Sequence, residues 1–314
     1  MLRLAVRRLV LFVPMWVAVS IVAFVVVHAT PGDPSATFLG QDTGVEGIAA
    51  VRHRLGLDAP YVVQLARWVI GSAHGDFGES FFLGRSVAAA IGERLPVTFS
   101  LAGLALLVTV SVGVPLGILA SLFPNSWRDG VTVAGALLFL SVPEFVVGIF
   151  MITLLAVSWR LFPVGGYVAL SADPAGWLAH LVMPALALGL AQAALLARMT
   201  RASMLQVLGA DHVRTARAKG VAERRVVLMH GLRNAAISIV TVIGLATTLL
   251  LSGAFITETL FELPGVGSLM VSAVLRRDYP VIQGALLVIA TIVLVVNIAV
   301  DVSYAALNPT MRRG

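Results

Sequence analysis

Cysteine is absent from all 314 residues of the chain. That excludes a disulfide framework, thiolate zinc sites and Fe–S ligation, and leaves the compartment open. Lysine occurs once, as Lys219, between Ala218 and Gly220. A phosphate-binding loop needs Gly-Lys followed by Ser or Thr, so the chain holds none. Charge is scarce as well: 12% of residues are Asp, Glu, Lys or Arg, against roughly a quarter in soluble domains. With 59% hydrophobic residues, there is too little polar surface to cover a water-facing globule, and lipid must be the solvent over much of the chain. No metal-ligand cluster or nucleophile elbow stands out, which weighs against a membrane-anchored enzyme. His53 and His74 are isolated and read as exposed loop histidines.

What is present is apolar and long. Six stretches, near 9–29, 98–123, 130–158, 179–197, 235–256 and 283–305, are long enough to cross a hydrocarbon core as helices. The pattern predicts an all-α polytopic membrane protein. Pro115, Pro143 and Pro184 fall inside these stretches and read as kinks. Pro184 and its alanine-rich surroundings make the fourth stretch the weakest by hydropathy. "PNSWRD" (124–129) is a tight turn joining the second and third into an antiparallel hairpin. The first stretch follows Arg3, Arg7 and Arg8, as a signal peptide would, but it outruns the usual 7–15-residue signal core and reads as a retained helix.

Charge sets the expected orientation. With both termini inside, the inside segments carry 14 of the Arg and Lys residues and the outside segments 8, over nearly twice the length. Seven acidic residues fall in loop 30–97 alone. The net charge of +6 is thus a topology signal, and nucleic acid is not an expected partner. Loop 30–97, with candidate helices near 44–55 and 60–73, predicts a folded outside cap. It either receives a partner, through acids such as Asp33, Asp76 and Glu79, or is only a lid over the helix ends.

The inside segment 198–233 is too patterned for a plain connection. In "VRTARAKGVAERRV" (213–226) five of fourteen residues are basic. Asp211 is placed to cap a short helix and Gly220 to end it. Val213, Ala216 and Gly220 recur at three- and four-residue spacing and predict a small-residue face for close approach, flanked by Arg214, Arg217 and Lys219. A second helical segment starts with Glu223, Arg224 and Arg225. An amphipathic helix on anionic lipid is the rival reading, but such helices bury Leu, Phe or Trp, which this face lacks.

The stretch resembles the cytoplasmic coupling motif of type I ABC-transporter permeases. The general form has Glu-Ala-Ala, three residues, Gly, about nine residues and Ile-x-Leu-Pro. Here the matching positions are Arg214-Thr215-Ala216, Gly220 and His230-Gly231-Leu232-Arg233, without the initial Glu, the middle Ala or the terminal Pro. "VRTARAKG" followed by "LRNA" (232–235) is similar to the version in peptide-importer permeases. "PGDP" (31–34), "LGLDAP" (55–60), "GDFGES" (75–80), "ERLPVTFSLA" (93–102), "FELPGVGSL" (261–269) and "RDYP" (277–280) resemble, in order and spacing, one permease subunit of dipeptide, oligopeptide and nickel importers. The tail departs, with Asn308-Pro309-Thr310 where relatives often have Asp-Pro-Arg.

The resemblance implies the six-helix type I importer fold: residues 1–93 as a first helix plus outside loop, 94–305 as the core with coupling helices near 203–230, and 306–314 as a tail. It implies half of a pathway for di- or oligopeptides in a bacterial or archaeal plasma membrane. The expected partners are a second homologous permease, two ATPase subunits that use ATP and Mg²⁺, an extracytoplasmic peptide-binding protein and the bilayer. This chain itself is expected to bind no cofactor and no metal and to carry no catalytic residue. Residues 211–225 are the expected ATPase-coupling element. Within the membrane, Glu144 and Asp301 are the charges read from the pattern; buried ionisable groups often mark a pathway, and Glu144 reads equally as a ligand for a peptide ammonium or as a structural acid. Asp301, near the end of the sixth stretch, reads as interfacial. Ser141, Thr247, Thr248, Ser252 and Asn297 are further pathway candidates, although Ser and Thr commonly bond their own helix backbone. An ion-gradient-driven transporter or channel is the alternative class; it calls for a carboxylate relay or repeated broken helices, and neither is visible.

Overall fold

Proline and the small residues, more than hydropathy, decide how these helices stop and meet. The structure, a computed structural model, describes residues 2–29 and 58–307, with side chains at 10–26, 58–300, 302 and 303. The helices are α1 (Leu2–Ala29), α2 (Tyr61–Ala73), α3 (Val87–Leu122), α4 (Trp127–Ser141), α5 (Glu144–Ser158), α6 (Pro174–Leu208), α7 (Asp211–Ala218), α8 (Glu223–Leu260), α9 (Val266–Arg276) and α10 (Tyr279–Leu307). Among the described residues the only strand-like pairing is one antiparallel bridge, Glu79 to Ser86. The all-α expectation holds. Asp33, His53 and the candidate helix 44–55 lie outside the described residues, as does the side chain of Asp301.

Four helices are long and apolar enough to cross a membrane: α3, α6, α8 and Tyr279–Val300 of α10. The α4–α5 pair makes a fifth, and α1 adds a shorter apolar run, Val10–Val26. Two sequence expectations change here. The third stretch is not one kinked helix: α4 and α5 meet at 97°. Pro143 has no N–H to donate and disfavours helical geometry at the residue before it, and Val142 is accordingly extended at φ −94°, ψ 123°. The fourth stretch is longer than 179–197, because the helix continues to Leu208 and turns a third of the supposed basic loop into its last turns. It is also the most enclosed: half of its most apolar window is buried in the chain, against 28–39% for the other three. Its alanines, less apolar than leucine, lower the hydropathy, but Ala185, Ala187, Ala193, Ala194 and Ala197 are buried, where small residues let backbones approach.

Local chemistry sets the ends. Asp173 accepts from the Ala175 N–H at 3.0 Å and Pro174 follows at the first helical position, the usual start for a helix. In the predicted 124–129 turn, Asn125 takes φ 61°, Ser126 caps α4 through the Asp129 N–H, and Asp129 accepts from the Asn125 N–H at 2.9 Å.

The chain forms two compact units. The first is built on Thr98–Leu263 with the last helix from Val295 onward. Its centre is α6, with Leu181, Met183, Leu188, Leu196 and Met204 fully buried. Against it lies α3, so close that a Cβ on Gly117 would sit 2.5 Å from the Ala197 carbonyl oxygen and one on Gly189 2.7 Å from that of Ala105. Thr109 donates across the same seam to the Gly189 carbonyl at 3.1 Å. The second unit joins the described parts of Val6–Val97 to Pro264–Leu294. Its core is Val87, Ala90, Ile91, Val266, Leu269, Ala273, Val281 and Ala285, and Trp16 donates to Thr291 at 3.0 Å.

Gly117→Leu tests the seam. Overpacking of this kind costs about 1–3 kcal/mol, so the variant should melt earlier in detergent by scanning calorimetry, whereas Gly103→Leu, at a position with no atom within 4 Å of a Cβ, should leave the melt unchanged.

Candidate functional site

At one end of the first unit, α6 hands over to the basic segment. Leu208 ends the helix, Gly209 caps it, and Ala210 in extended geometry caps α7. Asp211 is therefore the first helical residue and not the cap expected from the sequence: Ala210 holds that place and no side chain caps the helix. Asp211 instead lies 3.5 Å from Arg214. The helix ends as foreseen at Gly220, whose φ of +77° suits a residue without a Cβ. Val221 N–H bonds back to the Ala216 carbonyl at 3.2 Å, the closing bond of a Schellman turn.

The small-residue face predicted to meet a partner faces inward. Val213 has 0% and Ala216 9% exposure. Val213 belongs to one apolar cluster with Met204 and Leu208 of α6 and Val226 and Val227 of α8, and Ile118 and Leu122 of α3 pack on it. The physical reason is plain: at the end of a bundle, an apolar side chain finds apolar neighbours in its own chain first. Only Gly220 of that trio stays exposed, with open space around it. Across the turn Arg217 donates to both Glu223 oxygens, at 2.6 and 3.1 Å. This fork ties α7 to the start of α8, and the hydrogen bond to Glu223 raises the already high pKa of Arg217. Arg214, Lys219 and Arg224 point outward, all exposed. The element is thus an apolar foot with a basic outer surface.

Close by, Arg201 of α6 grips Asp129 in the first turn of α4 through two bonds, Nε–Oδ1 at 2.5 Å and Nη2–Oδ2 at 2.7 Å. Asp129 is 4% exposed. The sequence reading had placed both residues in separate loops. Their partnership follows from the unexpected extra turns of α6, which carry Arg201 to the turn.

The pathway candidates divide. Ser141 bonds the Leu137 carbonyl at 2.8 Å, Thr247 that of Ile243 at 2.8 Å and Ser252 that of Thr248 at 3.1 Å, the backbone bonding considered for them from the sequence. Thr248 and Asn297 come together at 3.4 Å. Glu144 begins α5 at the break, half-buried against Gly253 of α8. The sequence reading missed Glu258. It lies two residues past the expected end of the fifth stretch, yet it is helical and fully buried, and Thr98 donates to it at 2.6 Å. Helical spacing from Leu250, Leu251 and Ala254, all buried, was the signal.

In the second unit, Asp278 of "RDYP" is 2% exposed. It accepts from the Ser80 hydroxyl and from the Phe81 and Phe82 N–H groups at 3.2 Å each. Asp76 accepts from the Gly78 N–H at 2.9 Å, and Glu79 is exposed on the bridge to Ser86.

Comparison with known proteins now decides the family. Residues 113–313 match the profile described as "Binding-protein-dependent transport system inner membrane component", and residues 1–102 match that family's N-terminal membrane component. The chain belongs to this family of permeases. A Brucella abortus relative named for a peptide transport system permease is 42% identical over 312 residues, 99% of each chain. The dipeptide transport system permease protein DppB of Escherichia coli K12 is 39% identical over 340 aligned positions, 99% of each chain. Among solved structures, the MetNI methionine ABC transporter in inward-facing form has a TM-score of 0.59 at 17% identity, over 70% of this chain and 97% of that one. That likeness gives the type I importer fold. The permease is an integral membrane protein and not an enzyme family.

Val213→Asp places a carboxylate in the apolar foot. Buried unpaired charge is costly, so the foot should detach and trypsin should cut after Arg214 and Arg217 faster by more than about tenfold, the factor carried by ~1.4 kcal/mol of local unfolding. Cleavage at the wild-type rate would mean that the foot does not hold the element.

Proposed function

We propose that the chain is one half of the membrane pathway of an ATP-driven importer of peptides, with both termini cytoplasmic. The observation that carries this reading is the basic element itself. It is bolted by Val213 to the end of the central helix, with Ala216 buried beside it, and presents Arg214, Lys219 and Arg224 to whatever docks there. Full-length similarity to proteins named for peptide and dipeptide transport supports the cargo class. The positive-inside bias of the sequence supports the orientation.

In this reading two cytoplasmic ATPase subunits hydrolyse ATP with Mg²⁺, and a second, homologous permease supplies the other half of the pathway. An extracytoplasmic binding protein delivers the peptide, with loop 30–97 and its acids, including Asp33, Asp76 and Glu79, as the receiving surface. One ATPase holds residues 211–225 in a groove, where acidic side chains meet the exposed arginines. Close approach comes from Gly220, which lies in the open, while Val213 transmits force inward to α6. Because the foot also contacts α3 and α8, ATPase closure displaces three helix ends together. The Arg201–Asp129 fork passes the same displacement to the α3–α4 turn.

Gly220→Trp fills the open space at the turn. Reconstituted with its partners, it should insert normally and hydrolyse ATP but lose most peptide uptake; uptake at the wild-type rate would refute the docking role. Uptake that persists without ATP in vesicles holding an ion gradient would replace this reading with that of a gradient-driven transporter.

A further inference from the structure

The first unit contains a carboxylate that no side chain among the described residues answers. Glu144 forms no hydrogen bond and no ion pair among the described residues, and it sits within a membrane-spanning pair at the 97° break. An ionisable group there is expensive unless it faces a partner or a watered path. Irregular backbone at that depth is tolerated only when buried in protein or lining such a path.

Three further observations define what would satisfy it. First, Glu144 lies against a position without a side chain: a Cβ on Gly253 would fall 2.8 and 3.1 Å from its two carboxylate oxygens and 2.9 Å from Leu188 Cδ1. Any larger residue would push the carboxylate aside. Second, Gln192, one turn beyond Leu188 on the same face of α6, buries its Oε1 with no donor. Third, α4 ends and α5 begins at the break: the end of α4 leaves carbonyl oxygens and the negative end of its dipole, while Glu144 itself sits in the first turn of α5, whose positive end holds it as a carboxylate. Carboxylate and helix C-terminus are both acceptors, and half-helix C-termini at membrane depth are known to coordinate cations.

We infer that Glu144, backed by Gly253, is a cation-recognition point in the pathway that contacts the side-chain ammonium or guanidinium group of a passing cationic peptide. This rests on the import function proposed above. It assigns to the permease a share of cargo selection, favouring cationic over anionic peptides.

The test measures uptake of Ala-Lys and Ala-Glu by the complete reconstituted importer carrying wild-type permease, Glu144→Gln or Glu144→Lys. The binding protein is a separate polypeptide and contributes the same factor to every ratio, so a changed ratio reports the permease alone. The Ala-Lys to Ala-Glu ratio should fall by about tenfold in Glu144→Gln, the size expected for losing one charge-assisted contact, and further in Glu144→Lys. A structural defect would lower both peptides alike. An unchanged ratio, with or without a general loss of uptake, overturns the inference while leaving the import function intact. If wild type imports neither peptide, the function itself fails and the inference falls with it.

Discussion

The close approach of α3 to α6 is the constraint on which the rest of the first unit depends. In lipid there is little hydrophobic force between helices, so association relies on van der Waals contact and interhelical hydrogen bonds. Gly117 and Gly189 remove the side chains that would hold the two backbones apart, and Thr109 bonds across the seam. Beyond this seam the last turns of α6 project as an arm. That arm carries both the Arg201 fork to the α3–α4 turn and the apolar foot of the basic element. Loosen the seam, and a push on the element would bend one helix end instead of moving a bundle.

Much of this was legible in the residues. Hydropathy located the long helices, and Gly220 marked the end of α7 where the structure has it. The readings that changed share one cause, which is that a pattern along one helix does not say what lies opposite. Val213 and Ala216 made a face, but only packing reveals that it is buried and that α6 and α8 meet Val213 there. Pro143 announced a kink, yet whether a proline bends a span or breaks it depends on neighbours that accept the freed groups. Alanine-rich α6 looked like the weakest span and is the most enclosed. Glu258 fell outside the apolar window because hydropathy counts its charge, although its helical phase matches the buried residues before it.

The polar groups within the span fall into three kinds. Thr247 and Ser252 spend their hydroxyls on their own helix. Thr98 and Glu258 answer each other in a buried pair. Among the described residues Glu144 makes no hydrogen bond or ion pair and the Gln192 Oε1 accepts no hydrogen bond, which sets them apart from the groups that serve the fold. Hydropathy alone cannot make that distinction, because all six are simply polar residues in apolar helices.

The central claim is that force enters through the outward basic surface of the element and reaches the bundle through its apolar foot. The absence of native cysteine allows a direct measurement. Lys219→Cys, carrying a short photoactivatable crosslinker in the assembled, membrane-embedded complex, should yield one dominant adduct whose mass is that of permease plus ATPase subunit. Adducts with lipid alone, or labelling of the cysteine by impermeant reagent from the outside of sealed cells, would contradict the account.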